Sequence, residues 1–411
     1  MFTVLISALW FVAFAWLIIV VLTLHGLSRQ RRLLATSDLR LTTSDAPFVS
    51  ILVPARNEEQ RVLESCIRSI LAQDYGQFEV IAVDDRSTDN TGAILKRLAQ
   101  GDERLTVIEG AELPPGWLGK PYAMQQALNH ARGEWILATD ADMIFEAAAL
   151  RTALGRALEN NADALTLIPR FETGSFWERV MIPTWEWVFL MFTIFYRIND
   201  PKSDRAAGIG GFFLVRRTVL DRAGGYEGLK DEVMEDVRLA ERIKRVGAQL
   251  IIDRAPALIR TRMYRTFGEM WECCTKNWFS GVNFSFPLAL LCVGSMYLGA
   301  VVPALIALVS VLAMAFGAGA ELNLVVVPAA LSWLVQVLVM AIASRRSGVP
   351  VAYALTAPLG LALLYAMLFD SGVRIITGRG VTWKGRRIYE RRGVRPPLLR
   401  AAASQISKLE K

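Results

Sequence analysis

The strongest constraint on this chain is a run of 23 residues, Phe2 to Leu24, that contains no charged side chain. As a helix, at about 1.5 Å per residue, such a run is long enough for a hydrocarbon core of roughly 30 Å. A cleavable signal peptide is the alternative, but the run is longer than the usual apolar region and arginines follow it instead of a small-x-small cleavage site. We therefore expect an N-terminal membrane anchor over residues 1–28.

Three more uncharged stretches lie towards the C-terminus, at about 283–320, 322–344 and 349–369, separated by Glu321 and by Arg345-Arg346. The hydrophobic share of the chain, 53%, is too high for an ordinary soluble enzyme of this length. The stretches predict transmembrane helices over residues 283–373.

The end of the chain is strongly basic. Residues 374–411 hold 11 Lys or Arg and 2 Asp or Glu, a net charge of +9, which leaves −2 for the rest of a chain of net charge +7. Beside membrane spans, such a tail favours the anionic cytoplasmic leaflet, and we expect no nucleic-acid partner. Three crossings before the tail would place it outside, so either the 283–320 run is a short hairpin or the segment with Pro350 and Pro358 is re-entrant.

Between the apolar ends, residues 45–282 have mixed charge and enough apolar content for one soluble domain. Strand-like runs alternate there with helix-like segments: strands at 48–54, 78–84, 104–109 and 134–140, and helices at 58–72, 89–100 and 120–132. This alternation predicts an α/β fold with a mostly parallel sheet and helices on both faces. Sheets of this kind bind ligands beyond the carboxyl ends of their strands, so polar residues at those ends are candidate contacts.

Pairs of acids follow two of these strands. In VDDRSTDNT, Asp84 and Asp85 could accept hydrogen bonds from a base or ribose, although one of them could be structural. In ATDADM, Asp140 and Asp142 have a spacing at which two carboxylates can face one hard divalent cation, and the alternative is a turn that favours Asp. The chain has only two histidines, so a histidine triad lacks its parts and carboxylates must carry acid–base chemistry.

Charged residues also stand at the starts of two predicted helices. Lys120 belongs to Gly-Lys-Pro at 119–121, where a helix N-terminus could help bind phosphate. Glu235 and Asp236 begin the amphipathic segment 231–247, where acids often only compensate the helix dipole. Beside a metal–diphosphate site, however, a carboxylate must take the proton of an attacking hydroxyl, and we assign that role to Asp236.

Two aromatic segments point to an acceptor in the membrane surface. Residues 176–198 contain three Trp, but charges such as Glu178 and Arg197 interrupt them, so we expect an in-plane interfacial element. Residues 260–279 alternate basic and aromatic side chains just before the next apolar run, a pattern that also suits membrane anchoring.

Taken in chain order, the motifs resemble family 2 glycosyltransferases of the GT-A fold over about residues 48–282. The motifs are VPARNEE, VDDRSTDNT, GK-x-x-A, D-A-D, GGFFLVRR and EDVRLAERIKRVG. PPGWLGKPYA and the later VTWKGRR (381–387) further resemble bacterial transferases of carotenoid and hopanoid pathways and, more distantly, ceramide glucosyltransferases. One motif of processive members and ceramide glucosyltransferases, Gln/Arg-x-x-Arg-Trp, does not occur before the C-terminal spans, where CCTKNW stands instead.

The resemblance implies roles for particular side chains. The donor would be bound by Pro54, Arg56, Glu58, Asp84, Asp85, Lys120 and Asp140. Asp140 and Asp142 would hold Mg²⁺ or Mn²⁺, while Asp236, with Glu235 beside it, would activate the acceptor. The acceptor would contact Trp117, Trp185, Gly210 and Gly211.

These observations predict an inverting, metal-dependent transfer of a sugar from a nucleotide-diphosphate sugar to the hydroxyl or phosphate of a membrane lipid. We expect a multi-pass protein of the cell's inner membrane whose catalytic domain faces the cytoplasm. Two alternatives stay open, a processive membrane polysaccharide synthase and a catalytically silent membrane-bound nucleotide-sugar-binding module. The sequence does not fix the sugar, the nucleotide or the lipid.

Overall fold

The computed structural model describes residues 2–34, 46–193, 195–316, 322–390, 394 and 396, without the side chains of residues 192–196. Glu321, Ile194 and most of the basic tail beyond residue 390 therefore lie outside the described residues. The chain forms two compact units. The apolar unit comprises Met1–Arg29, Thr173–Phe192 and Tyr264–Val381, and the sheet unit comprises Gln30–Glu172, Thr193–Met263 and Thr382–Lys411.

Helices and strands alternate through the sheet unit, while helices dominate the apolar unit. The described helices are α1 (Phe2–Ser28), α2 (Leu63–Leu71), α3 (Thr91–Ala99), α4 (Gly119–His130), α5 (Ala149–Glu159), α6 (Phe176–Thr193), α7 (Phe195–Ile198), α8 (Arg217–Arg222), α9 (Glu235–Arg245), α10 (Phe267–Gly281), α11 (Phe286–Met296), α12 (Val302–Ala315), α13 (Asn323–Arg346) and α14 (Ala357–Ile376). The described strands are β1 (Val49–Ala55), β2 (Phe78–Asp84), β3 (Leu105–Glu109), β4 (Trp135–Ala138), β5 (Met143–Phe145), β6 (Ala164–Ile168), β7 (Arg170–Phe171), β8 (Phe213–Arg216), β9 (Leu250–Arg254), β10 (Ile259–Thr261), β11 (Val381–Trp383) and β12 (Arg386–Ile388).

A seven-stranded sheet with the order β3-β2-β1-β4-β8-β6-β9 forms the centre of the sheet unit. Strand β1 lies between β2 and β4 and is parallel to both, and β3 continues the parallel half beyond β2. Strand β8 is antiparallel to both of its neighbours, and β9 returns parallel to β6. The predicted α/β fold with a mostly parallel sheet is thus confirmed, and β8 makes the sheet mixed.

The core of the sheet unit follows from alternation along buried strands. Val49, Ile51 and Val53 of β1 are fully or almost fully buried on one face, against α2 residues such as Leu63 and Ile67. Residues two apart on a strand share a face, and residues four apart on a helix do the same, so the two patterns meet. Burying each such side chain contributes about 1.5–3 kcal/mol. Helix α4 contacts β1 and β2 and holds parallel strand ends in register.

The apolar unit exposes many large apolar side chains. On α1, Phe11 and Phe14 are 74% and 63% exposed, while Leu9, Ala13 and Trp16 are buried. Among the described residues, four helical segments are long and apolar enough to cross a membrane: Phe2–Ser28, Phe286–Ala315, Asn323–Arg346 and Val351–Ile376. Water disfavours such a surface, whereas lipid accepts it.

Candidate active site

The parallel strands β1, β2 and β4 end at one edge of the sheet, where the sequence placed its polar motifs. Ala55 at the end of β1 lies beside Asp84 at the end of β2, and Leu52 lies beside Ala138 at the end of β4. The residues that follow these ends therefore gather at the same edge. They include Arg56, Glu58, Asp85, Asp140 and Asp142.

Lys120 is the central cation of this edge. It stands in the first turn of α4, and its Nζ lies 2.6 Å from Asp140 Oδ1 and 2.6 Å from Glu235 Oε1. Burial alone would lower the pKa of Lys120, but the carboxylates of Asp140, Glu235 and Asp236 outweigh burial and raise this pKa well above its usual value. The ammonium is therefore charged at every physiological pH.

Asp236 is held by backbone donors at the start of α9. The N–H of Gly210 donates to Asp236 Oδ2 at 2.7 Å, and the N–H of Val237 donates to Oδ1 at 2.8 Å. A Cβ at Gly210 would lie 3.0 Å from Lys120 Nζ and 3.3 Å from Asp236 Oδ2, so a side chain there would enter the cluster. Glycine at 210 thus lets the backbone approach both charges.

Burial, together with the nearby Glu235, raises the pKa of Asp236 to about 6. Lys120 opposes this rise without cancelling it. A carboxylate with a pKa near 6 is ionised at neutral pH and is more basic than an ordinary Asp, which is the property required of a general base.

A small pocket opens beside this pair of charges. Its lining combines the charges with apolar side chains: Lys120, Met124, Ala138, Thr139, Gly210, Phe213, Tyr226, Glu235, Asp236 and Leu239. The sequence analysis did not single out Tyr226, which stands outside its motifs, or Thr139, which belongs to ATDADM but carries no charge. The Thr139 hydroxyl donates to the Gly211 carbonyl at 2.8 Å, which ties β4 to the loop before β8.

Asp140 and Asp142 fit a divalent cation by their chemistry and by their charge. Burial, then the carboxylates of Asp140 and Glu58, raise the pKa of Asp142 to about 7, and Lys384 and Arg61 only partly offset this. Crowded carboxylate oxygens are the ligands that Mg²⁺ and Mn²⁺ prefer. The described part of the chain offers no group of three or more His, Cys, Asp or Glu for a metal ion. Any cation here would need further ligands from donor phosphates or water, as is usual for Mg²⁺.

The two acids after β2 have different surroundings. Asp84 Oδ1 accepts from the Ser87 N–H at 3.1 Å, and its other oxygen lies against Gly92 in the first turn of α3. Asp85 is buried between two guanidinium groups, with Arg86 Nη2 3.0 Å from Oδ1 and Arg386 Nη1 2.7 Å from Oδ2. Asp84 therefore stabilises the loop and helix start, and Asp85 is the acid embedded in a charged network.

Arg56 and Glu58 complete this end of the edge. Arg56 Nη1 donates to the carbonyls of Asp85 and Arg86, at 2.7 Å each. Burial, with a contribution from Arg386, lowers the pKa of the Arg56 guanidinium. Glu58 is 4% exposed and forms an ion pair with Lys384. The sequence did not foresee Lys384 or Arg386 in the site, since both lie more than 290 residues beyond the strands they contact.

The remaining predicted contacts are placed as follows. Pro54 is a half-buried residue of β1 opposite Val83. Trp117 packs edge-on against Tyr122, with ring centroids 5.3 Å apart. Gly211 is buried against the Met143 side chain. Trp185 belongs to α6 of the apolar unit and stacks on Phe189 there.

Comparison with known proteins bears on the sheet unit. Residues 50–224 match the family described as "Glycosyl transferase family 2". A "Beta-monoglucosyldiacylglycerol synthase" of Nostoc sp. is 42% identical over 98 residues, which are 23% of this chain and 20% of the relative. A "4,4'-diaponeurosporenoate glycosyltransferase" of Staphylococcus aureus is 24% identical over 243 residues, 58% of this chain and 63% of the relative. The chain thus spans less than two thirds of these relatives' lengths.

One solved structure resembles the chain over most of its length. A mannosyltransferase of Pyrobaculum calidifontis, determined with GDP-Man and Mn²⁺, superposes with a TM-score of 0.51 at 19% identity and covers 89% of this chain and 98% of its own. This likeness concerns the fold. Residues 50–224, less than half of the chain, thus match family 2 glycosyltransferases, and the chain shares a GT-A-like fold with the solved mannosyltransferase.

Proposed function

We propose that the protein transfers one sugar from a nucleotide-diphosphate sugar to a membrane lipid, with inversion at the anomeric carbon. The observation that carries the proposal is one pocket at the carboxyl edge of the sheet, lined by Lys120, Glu235 and Asp236. Asp140 forms an ion pair with Lys120 beside this pocket. Lys120 can bind an anionic donor, and Asp236 can accept the proton of the acceptor.

The transfer is a single displacement. The acceptor oxygen attacks the anomeric carbon and forms the new C–O bond, while the bond from that carbon to the diphosphate breaks. The electron pair of that bond leaves with the nucleoside diphosphate, and the hydroxyl proton moves to Asp236. Lys120 places a compact positive charge where the diphosphate gains negative charge, which lowers the barrier electrostatically.

Asp140 and Asp142 would hold Mg²⁺ or Mn²⁺ in this proposal. When bound, the ion supplies positive charge next to the diphosphate leaving group. Burial and then the neighbouring carboxylates of Asp140 and Glu58 raise the pKa of Asp142, and a cation would offset both effects. Asp85 and Arg56 stand further along the edge, where the nucleoside would bind, and Glu58 lies close to Asp142.

Two observations support a lipid acceptor. The names of two relatives include a glucosyldiacylglycerol and a diaponeurosporenoate, both of them lipids. The apolar unit carries long helices with exposed Leu, Phe and Val along their surfaces. A single lipid-linked sugar distinguishes this function from a processive synthase.

The test is a transfer assay with purified protein, a panel of nucleotide sugars, Mn²⁺ or Mg²⁺, and a total lipid extract, read by mass spectrometry. The expected product is a lipid heavier by one sugar residue, formed with only one or a few of the donors. A ladder of added sugars would instead identify a polymer synthase. Donor binding without any product from any lipid would favour the silent binding module.

The chain's course through the membrane follows from where residues 382–389 lie. These residues belong to the sheet unit and make ion pairs with Glu58 and Asp85. They therefore share one side of the membrane with the rest of that unit. An even number of crossings must separate residue 263 from residue 382, yet three candidate spans lie between them.

We propose that Val351–Ile376 is the segment that does not cross. Its first residues contact α6, where Arg179 Nη1 lies 3.3 Å from the Tyr353 hydroxyl and Gly360 packs against Thr184. Near its end, Asp370 accepts from the Trp271 indole of α10 at 2.7 Å. Helices α6 and α10 both carry charges that suit an interface better than a bilayer core, so a segment packed on them at both ends lies in the membrane plane.

Labelling of single cysteines in a cysteine-free background tests this course. Gly348→Cys and Gly378→Cys flank the segment, and both should react with an impermeant maleimide added from the cytoplasmic side of inverted vesicles. Phe316→Cys, 90% exposed between the two preceding spans, should react only from the opposite side. Reaction of positions 348 and 378 from opposite sides would show that the segment crosses.

A further inference from the structure

The last described residues form a hairpin that reaches into the donor edge. Strands β11 and β12 pair with each other, and the two residues between them, Lys384 and Gly385, both have positive φ, 46° and 77°. Two such residues in succession suit the tight turn that joins twisted strands. We name residues 382–389 the hairpin; Lys384 stands at its tip.

The base of the hairpin is fixed by Tyr389. This side chain is 2% exposed; its hydroxyl donates to the Asp231 carbonyl at 2.8 Å and accepts from the Val233 N–H at 3.2 Å. Asp231 and Val233 lie in the loop that leads into α9 and Asp236. The hairpin is therefore fastened to the same loop that positions the proposed base.

Arg386 is fixed to the nucleoside end of the edge. Its Nη1 donates to Asp85 Oδ2 at 2.7 Å, and its Nη2 donates to the Asp85 carbonyl at 3.0 Å. A Cβ at Gly119 would lie closer than 3.0 Å to both Arg386 Nη1 and Asp85 Oδ2. Glycine at the first position of α4 thus leaves room for the guanidinium. Arg386 orients Asp85 and lies next to the turn of α4 that carries Lys120.

Lys384 stands nearer the metal end. Its ammonium pairs with Glu58, and its carbonyl lies 3.5 Å from Arg56 Nε. Arg61 lies 3.7 Å from Glu58 Oε2 and 4.0 Å from Asp142 Oδ2, which places the Lys384–Glu58 pair beside a proposed metal ligand. Lys384 is 19% exposed, so its ammonium is neither fully solvated nor fully sealed off. A second cation beside the proposed metal ligands could also bind a diphosphate, because an ion pair with one carboxylate leaves two ammonium donors for phosphate.

Backbone strain collects around the hairpin. The left-handed region disfavours residues with a Cβ, yet it is occupied here by Asn57, Arg86, Lys384 and Tyr389, with φ between 46° and 58°. Asn57 lies between Arg56 and Glu58 in the chain, and Arg86 follows Asp85. Lys384 and Tyr389 belong to the hairpin. Surrounding structure must hold such conformations, and they concentrate where ligands are bound.

We propose that the hairpin is part of the donor site, with Lys384 as a diphosphate-binding residue and Arg386 as a positioning residue that holds Asp85 for the nucleoside. This inference rests on the proposed function, because it needs a nucleotide-diphosphate donor. It assigns residues 382–389 to the substrate site. Neither the family match over residues 50–224 nor the metal motif includes these residues.

The test measures binding of nucleoside mono- and diphosphates to the purified full-length protein by calorimetry, at a fixed Mn²⁺ concentration. The ratio of diphosphate to monophosphate affinity reports on the β-phosphate alone. Lys384→Ala should lower that ratio at least tenfold, Lys384→Arg should restore most of it, and Arg386→Ala should weaken both ligands about equally. Arg387→Ala is the matched control, since Arg387 has the same charge on the same strand but is exposed.

A purely structural hairpin gives a different result. Glu58→Gln also breaks the Lys384 pair, so equal loss of the affinity ratio in Glu58→Gln and Lys384→Ala would mean that only the pair matters and would overturn the assignment. Unchanged ratios in Lys384→Ala would overturn it too. If the wild-type protein binds no nucleoside diphosphate at all, the result contradicts the proposed function itself and not only the role of the hairpin. Circular dichroism and thermal unfolding of each variant verify that it is folded.

Discussion

The sheet unit and the apolar unit handle buried polar groups in opposite ways. In the sheet unit, Lys120, Asp140, Glu235 and Asp236 form a concentration of charge that leaves Asp236 with a raised pKa. In the apolar unit, some buried hydroxyls donate to a backbone carbonyl one turn earlier in their own helix, as Ser332 does with Pro328 at 2.9 Å and Thr184 with Val180 at 2.8 Å. Under the proposed function, the charged side chains of the sheet unit remain available for chemistry. The Ser332 and Thr184 hydroxyls of the apolar unit already donate a hydrogen bond within their own helices.

The outer surfaces of the two units differ as well. Phe11, Leu298 and Phe316 of the apolar unit are 74%, 67% and 90% exposed. In the sheet unit, many exposed positions carry charged side chains, and some of these form ion pairs, as Arg68 and Glu64 do. Under the proposed function, the comparison implies that stability in one unit depends on lipid around it, while activity in the other depends on its charged site. Four experiments can break or sharpen this contrast.

The largest effect is expected from Asp236→Asn. The amide keeps the shape of the side chain but cannot take a proton, so kcat should fall by about 10²–10⁴-fold with little change in donor affinity. Steady-state kinetics and donor titration measure the two quantities. Asp221→Asn, an exposed acid on α8 paired with Arg217, is the control and should keep full activity. Normal turnover by Asp236→Asn would remove Asp236 as the base.

A charge on the outer surface of the apolar unit should have the next largest effect. Leu298 lies in the π-helical turn Tyr297–Val301, near the middle of Phe286–Ala315. Leu298→Asp should oppose membrane integration by about 2.5–3.5 kcal/mol, measurable as protein released by alkaline extraction of membranes. The same charge at Ala111, exposed in the sheet unit, should change stability by less than about 0.5 kcal/mol. Equal behaviour of the two variants would contradict the division into two environments.

Packing inside the apolar unit is tested by Gly360→Ala. The added Cβ would meet Thr184 Oγ1 and lie 3.2 Å from the Val180 carbonyl, so α14 and α6 would have to separate. Overpacking of this kind typically costs about 1–3 kcal/mol, seen as a lower thermal midpoint in detergent. Gly294→Ala, where nothing lies within 4 Å, is the matched control. Two equally stable variants would show that this helix contact is loose.

The smallest effect is a pH dependence. Asp236 has a pKa of about 6, above the ordinary value of 3.8, so it is protonated as pH falls through 6 and kcat should then drop about tenfold per pH unit. The stability change has the opposite sign. Because the folded state holds this proton more tightly than the unfolded state, the Asp236 contribution favours folding at low pH and is lost as pH rises from about 4 to 6. A kcat profile flat between pH 5 and 7 would argue against Asp236 as base.

Much of the sheet unit could be predicted from local pattern. The predicted strands 48–54 and 78–84 agree with β1 and β2 to within a residue, because buried parallel strands read as apolar runs between helical segments. The acids at strand ends could be placed at one edge for the same reason. The direction of strand β8 could not be predicted, since no local signal shows that it runs antiparallel between β4 and β6.

The contribution of the hairpin could not be predicted either. VTWKGRR drew attention as a resemblance, but its pairing with Glu58 and Asp85 depends on how the chain returns after several helices. Periodicity describes neighbours along the chain, and it contains no information on contacts across 300 residues. The separate surroundings of Asp84 and Asp85 were hidden for the same reason, since the partner that distinguishes them is Arg386.

The position of the hairpin along the chain has a consequence for biosynthesis. A ribosome completes the β-strands and every acid of the donor edge well before it adds Lys384 and Arg386, and all of the helical segments that could enter lipid are made in between or earlier. The chain therefore receives its last two positive charges for the donor site only after all of these hydrophobic segments have been synthesised. Under our assignment, an unfinished or wrongly inserted chain would bind nucleotide sugar poorly and would therefore consume little of it.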